Sequence, residues 1–155
     1  MNTYLIVKWL HIVSSVLMVG TGFGTAFYLF FVNRAKSVEA IAVVSRLVVR
    51  ADTWFTTPAV IFQPLSGLWL MHQGGWSLTT GWVLASLALF FLAGACWLPV
   101  VWLQLKLRDM AQAARAEGGE LPPRYWRFAR RWEWLGYPAF TAVTVIFFLM
   151  VNKPS

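Results

Sequence analysis

The stretch Thr53–Leu105 reads TWFTTPAVIFQPLSGLWLMHQGGWSLTTGWVLASLALFFLAGACWLPVVWLQL and contains no Asp, Glu, Lys or Arg. Its polar, glycine-containing middle, His72 to Gly81, divides it into two apolar segments. Each is close to the about 20 residues that cross the bilayer core as an α-helix. A soluble domain of this size has no interior large enough for both. The chain therefore reads as an integral membrane protein, and its chemistry must use the few polar groups inside the spans.

Working outward, two further apolar segments appear. The first runs from about Tyr4 to Val32, uncharged from Trp9 onward, and the last from about Trp134 to Val151. The sequence thus predicts an all-α fold, a polytopic four-helix bundle forming a single transmembrane domain over 1–155. Its spans lie near 4–32, 53–71, 82–105 and 134–151. Tyr4, Trp9, Trp76, Trp82, Trp132 and Trp134 fall where interfacial aromatic anchors belong. The N-terminal apolar stretch exceeds a signal-peptide h-region, so it reads as a span.

Charge orients these spans. Arg34, Lys36, Arg46 and Arg50 lie in the connection 33–52, and Lys106, Arg108, Arg115, Arg124, Arg127, Arg130 and Arg131 in 106–133. Together they are all but two of the 13 basic residues. The middle connection has none. The positive-inside rule places both basic connections in the cytoplasm and both termini on the periplasmic side of a bacterial inner membrane. The net charge of +7 is then a topology signal and a means of touching anionic headgroups. No nucleic-acid-binding signature accompanies it. The partners expected are the lipid bilayer and other membrane subunits or a second copy of the chain.

The basic connections read as helix extensions, with Gly118-Gly119 and Pro122-Pro123 as the break before the fourth helix. Gly20-x-x-x-Gly24 offers a small-residue surface for packing within the chain. Cys96 is the single cysteine, so neither an intrachain disulfide nor a Cys-rich metal site is available. No nucleophile–base constellation, paired carboxylates in a span, phosphate loop or zinc-protease motif is present.

The polar residues inside the spans are more telling. Tyr4, Lys8, His11, Ser15, Met18 and Gly22 recur three and four apart, which puts them on one stripe of the first helix. An imidazole is costly in lipid, so this stripe should face the bundle. His72 ends the second span on the same side of the membrane as His11. Two imidazoles there suit the two faces of one haem b, whose iron takes axial histidines, with Met18 or Met71 as alternative second ligands. The same imidazoles could instead be structural, hydrogen-bonded to neighbouring groups. Arg46 and Arg50 share a helix face before Asp52. They read as a salt-bridged lock toward Glu133, Arg130 and Arg131, or as a carboxylate clamp for haem propionates. For a haem near the outer side, Lys8 takes the clamp role. Met18, Met71, Cys96, His11 and His72 are also soft copper ligands, but scattered ones.

Several segments carry a resemblance. Lys8-Trp9-Leu10-His11-Ile12, Phe55-Thr56-Thr57-Pro58-Ala59, Gly67-Leu68-Trp69-Leu70, GACWLPVVWLQ from Gly94 to Gln104, and Leu121-Pro122-Pro123-Arg124-Tyr125 resemble a family of uncharacterised bacterial four-span membrane proteins. That family is more distantly similar to HemJ-type protoporphyrinogen oxidases and CopD-like copper-resistance proteins. The resemblance implies haem binding through His11 and redox work on a lipophilic or tetrapyrrole partner. The oxidase-like pattern has a lysine soon after a tryptophan at the start of span three. Trp82-Val83-Leu84-Ala85-Ser86-Leu87 has none. The expected function is a b-type haem protein for electron transfer or oxidoreduction. A cofactor-free subunit of a larger membrane complex is the alternative, and copper handling the third.

Overall fold

The computed structural model describes residues 2–154, which are mostly helical, with no strand among them. Helix α1 spans Thr3–Ala35, α2 Val38–Ala51, α3 Thr57–Gln73, α4 Gly81–Glu117 and α5 Pro123–Asn152. A π-helical turn, Asp52–Thr56, joins α2 to α3, so residues 38–73 form one uninterrupted rod. Pro58 explains the turn. It cannot donate to the carbonyl four residues back and its ring crowds that position, so the ladder loosens there into longer-range bonds. The Thr57 N–H bonds to the Asp52 carbonyl accordingly.

Local chemistry sets the ends. Asn2 caps α1 by accepting the Tyr4 N–H at 3.0 Å, and Ser37 caps α2 by accepting the Ala40 N–H at 3.3 Å. Gly118, at φ 63°, closes α4 in the left-handed conformation that favours glycine. Pro123 then opens α5 in the first turn, where its missing N–H costs nothing.

Helices α1, α4 and α5 are each long and apolar enough to cross a membrane. The segment expected to span at 53–71 differs. It is split between the π turn and the 17-residue α3, so it does not form one long apolar helix by itself. Outward faces are apolar, as at Phe91, Leu98 and Phe148.

The two ends of the bundle pack differently. At the end carrying the basic connections, Leu29, Ile41, Leu103, Leu107, Tyr125 and Phe128 form a closed core. Ala42, Ala111 and Ala129 let the helices approach closely there. Gln112 donates to the Ala42 carbonyl at 2.7 Å, tying α4 to α2. At the end carrying the termini, α3 packs on α1 and α4 on α5, but α3 makes no close approach to α4. The two helix pairs splay and leave a cavity between them.

Two expectations are corrected here. Gly20 and Gly24 face no neighbouring atoms within the described chain, so they do not mediate helix packing inside it. Glu133 pairs with Arg34 at 3.4 Å, whereas Arg46 and Arg50 lie exposed on α2 and form no lock with it. The reason is rotational: the α2 face that meets α4 is Ile41, Ala42, Ser45 and Val48, which turns both arginines outward.

Candidate functional site

The cavity between the helix pairs has a volume of about 770 Å³. All six residues of the α1 stripe line it: Tyr4, Lys8, His11, Ser15, Met18 and Gly22. Trp76, Trp82, Phe90, Trp97 and Phe140 contribute aromatic walls. Lys8 and Lys153 both lie at its termini end, where the Lys153 ammonium stands 5.8 Å from the centre of the Trp76 ring.

His11 is held from three directions. Its Nδ1 lies 2.7 Å from Ser66 Oγ on α3. Its own carbonyl accepts the Gln63 side-chain N–H at 2.8 Å. Its Cε1 lies where a side chain on Gly67 would begin, 3.3 Å from an ideal Cβ, so the ring rests directly on the α3 backbone. Gly67 is what allows this approach.

The Ser66 hydroxyl settles the tautomer. It donates to the Phe62 carbonyl at 2.7 Å, one turn back on its own helix. A hydroxyl has one proton, so its oxygen is left to accept. His11 then donates from Nδ1, and in the neutral ring the free lone pair falls on Nε2. Nε2 has no partner among the described residues. A neutral imidazole oriented through Nδ1 with an available Nε2 is the arrangement of a metal-ligating histidine.

A second polar group lies further along the cavity wall. Asp52, 6% exposed, accepts from Thr56 Oγ1 at 2.9 Å and stands 3.5 Å from Thr25 Oγ1, with Gln104 of α4 at the same carboxyl. Thr57 Oγ1 donates to the Asp52 carbonyl at 2.9 Å, bracing the π turn. Thr25 lies fourteen residues beyond His11, so the imidazole and this carboxyl are separated by about 20 Å along α1. Trp82 Nε1, buried beside the cavity, has no partner among the described residues.

The structure does not join His72 to His11. The His72 side chain is exposed in the last turn of α3 and is not among the residues lining the cavity. The α3 face that meets α1 is Gln63, Ser66 and Gly67, which leaves His72 turned elsewhere. Arg46 and Arg50 are likewise away from the cavity, while Lys8 is on it. Of the soft ligands, Met18 and Met71 line the cavity with His11, and Cys96 does not. No three His, Cys, Asp or Glu side chains gather among the described residues.

Ser66 and Gln63 are parts of the site that the sequence pattern does not single out. Only their spacing of three on one helix hinted that they act together. Lys153 gave no signal, because its place comes from the far end of α5.

Residues 5–154 match the family described as "Predicted integral membrane protein (DUF2269)". No curated protein and no solved structure matches the chain. The chain belongs to this family of integral membrane proteins.

Proposed function

We propose that this member of the DUF2269 membrane family binds haem b in the cavity, where His11 would hold its iron through Nε2, and serves electron transfer or oxidoreduction within the bilayer. The single observation that carries the reading is the Ser66-oriented imidazole on the wall of a large apolar cavity. The volume is within the range of about 300–1,000 Å³ typical of ligand pockets. When bound, haem supplies a one-electron couple whose potential its surroundings tune.

The residues divide the work as follows. Ser66 fixes the imidazole tautomer, Gly67 leaves room for the ring, and Gln63 ties the α1 backbone to α3. Lys8 and Lys153 suit the carboxylates of the macrocycle at the cavity mouth. Trp76, Trp97, Phe90 and Phe140 supply apolar, polarisable walls that exclude water. Met18 and Met71, which line the cavity, would be better placed than the exposed His72 to help hold the group. The partner would be a lipophilic or tetrapyrrole molecule reached from the membrane.

In this reading the rod 38–73 makes a fourth crossing, with the basic connections cytoplasmic and the termini periplasmic in a bacterial inner membrane. The test is a visible spectrum of the protein purified in mild detergent after expression with ample haem. A Soret band with reducible α and β bands, absent in His11→Ala, is expected. A colourless wild-type protein overturns the proposal.

A second reading, a cofactor-free subunit of a larger membrane complex, draws on the uncovered Gly20–Gly24 surface and the open cleft between α3 and α4. A colourless protein that purifies with a stoichiometric membrane partner would support it.

A further inference from the structure

At the opposite end of the bundle, a smaller cleft of about 430 Å³ lies between the end of α1 and the early turns of α5. Asn33, Arg34, Lys36, Trp126, Arg130 and Glu133 surround it. Three cations there face one carboxylate. We propose that this cleft is a binding site for a phosphate-bearing anion.

Asn33 lines this cleft with an unpartnered amide nitrogen. Its side chain is 4% exposed, and its Oδ1 accepts the Tyr125 hydroxyl at 2.6 Å. Tyr125 is fully buried, and its O–H needs an acceptor, which assigns the amide oxygen to that side. The amide Nδ2 then has no partner among the described residues. Buried donors without a partner are rare in folded proteins, and an acceptor in the cleft would satisfy this one.

The cations are placed to help. The Arg34 guanidinium lies on the Phe30 ring, 3.3 Å from its centre, and donates from Nη1 to the Phe30 carbonyl at 3.1 Å. That pinning leaves the other edge of the planar group open for a bidentate anion. Its contact with Glu133 is long, at 3.4 Å. Lys36 and Arg130 are exposed at the rim and have no acidic partner among the described residues. A lining asparagine with an unpartnered amide donor, a guanidinium held on the Phe30 ring and two exposed cations match a phosphate. Phosphate there could come from an anionic lipid headgroup or from solution.

The test uses the full chain in mild detergent. Native mass spectrometry compares binding of phosphatidylglycerol and phosphatidylcholine, and thermal unfolding compares inorganic phosphate with chloride at equal ionic strength. Asn33→Asp keeps the acceptor for Tyr125 but removes the free donor. The double variant Lys36→Gln/Arg130→Gln removes the rim charge at exposed positions the fold does not need. Wild type should prefer the anionic probe by about tenfold or more, and both variants should lose that preference. Arg46→Gln/Arg50→Gln, equally basic but outside the cleft, should retain it. A preference for phosphatidylglycerol without a phosphate effect assigns the source to lipid. Stabilisation by phosphate without a lipid preference assigns it to solution, and effects of both support one site open to either. No preference for either probe, or equal loss in the Arg46/Arg50 variant, overturns the proposal.

Discussion

Ser66 Oγ lies 2.7 Å from His11 Nδ1, and this one contact joins the imidazole of α1 to α3 across a separation of 55 residues. In the neutral ring it leaves Nε2 as the free nitrogen, because the one hydroxyl proton goes to the Phe62 carbonyl. The relation fixes the position of the group on which the proposed chemistry depends and the nitrogen through which it is oriented.

Ser66→Ala should therefore act through His11. Removing an outer hydrogen-bond partner of a ligating histidine typically weakens metal affinity about 10- to 100-fold. Titration of the purified protein with haem, followed at the Soret band, should show that loss. Affinity unchanged from wild type would mean the serine does not orient the ligand.

Gly67 tests the close approach of α1 and α3. A Cβ at 3.3 Å from His11 Cε1 needs the ring, held at Nδ1 by Ser66, to give by a few tenths of an ångström, so Gly67→Ala should be the milder change, costing up to about 1 kcal/mol. Gly67→Leu should overpack the contact and cost about 1–3 kcal/mol. Thermal unfolding in detergent separates the two.

The Tyr125–Asn33 hydrogen bond closes the core at the basic end. Tyr125→Phe leaves the Asn33 amide oxygen without its donor in a buried site, at a cost of about 1–3 kcal/mol. The same thermal measurement should show the drop, and Trp126→Phe, next in the chain, should show less.

At the π turn, Thr56 donates to Asp52 whether that side chain is an acid or an amide. Asp52→Asn should therefore change stability by less than about 1 kcal/mol. Thr56→Val, which removes the donor, should cost about 1–2 kcal/mol. The opposite ranking would show that the charge of Asp52, rather than its hydrogen bonds, holds the turn.

Orientation is checked with a membrane-impermeant maleimide in a Cys96→Ser background. Ser77→Cys, in the uncharged connection, should label in intact cells with an accessible periplasm. Glu120→Cys, in the basic connection, should label only after lysis. The reverse pattern would place the basic connections outside.

The legible part of the site was the stripe on α1. Side chains on one helix face are set by a local periodicity, so Tyr4 to Gly22 could be grouped without a structure. All six line the cavity. The partner residues were not legible, since which face of α3 meets α1 depends on the rotation of a second helix. That rotation put Ser66 and Gly67 against His11 and turned His72 away. The same uncertainty misplaced Arg46 and Arg50, whose helix presents Ile41 and Val48 inward instead.

What the sequence alone determined was additive along the chain: the apolar length of each segment, the charge of each connection and the polar stripe of the first helix. Hydropathy and charge act residue by residue, so these survive any rearrangement of the helices. The tertiary structure alone decided where the bundle closes and where it splays, which histidine lines the cavity, and that Asp52 lies buried on its wall. Those depend on the rotation and separation of helices distant in sequence, set by a π turn at Pro58 and by packing at the basic end. No single segment carries that information.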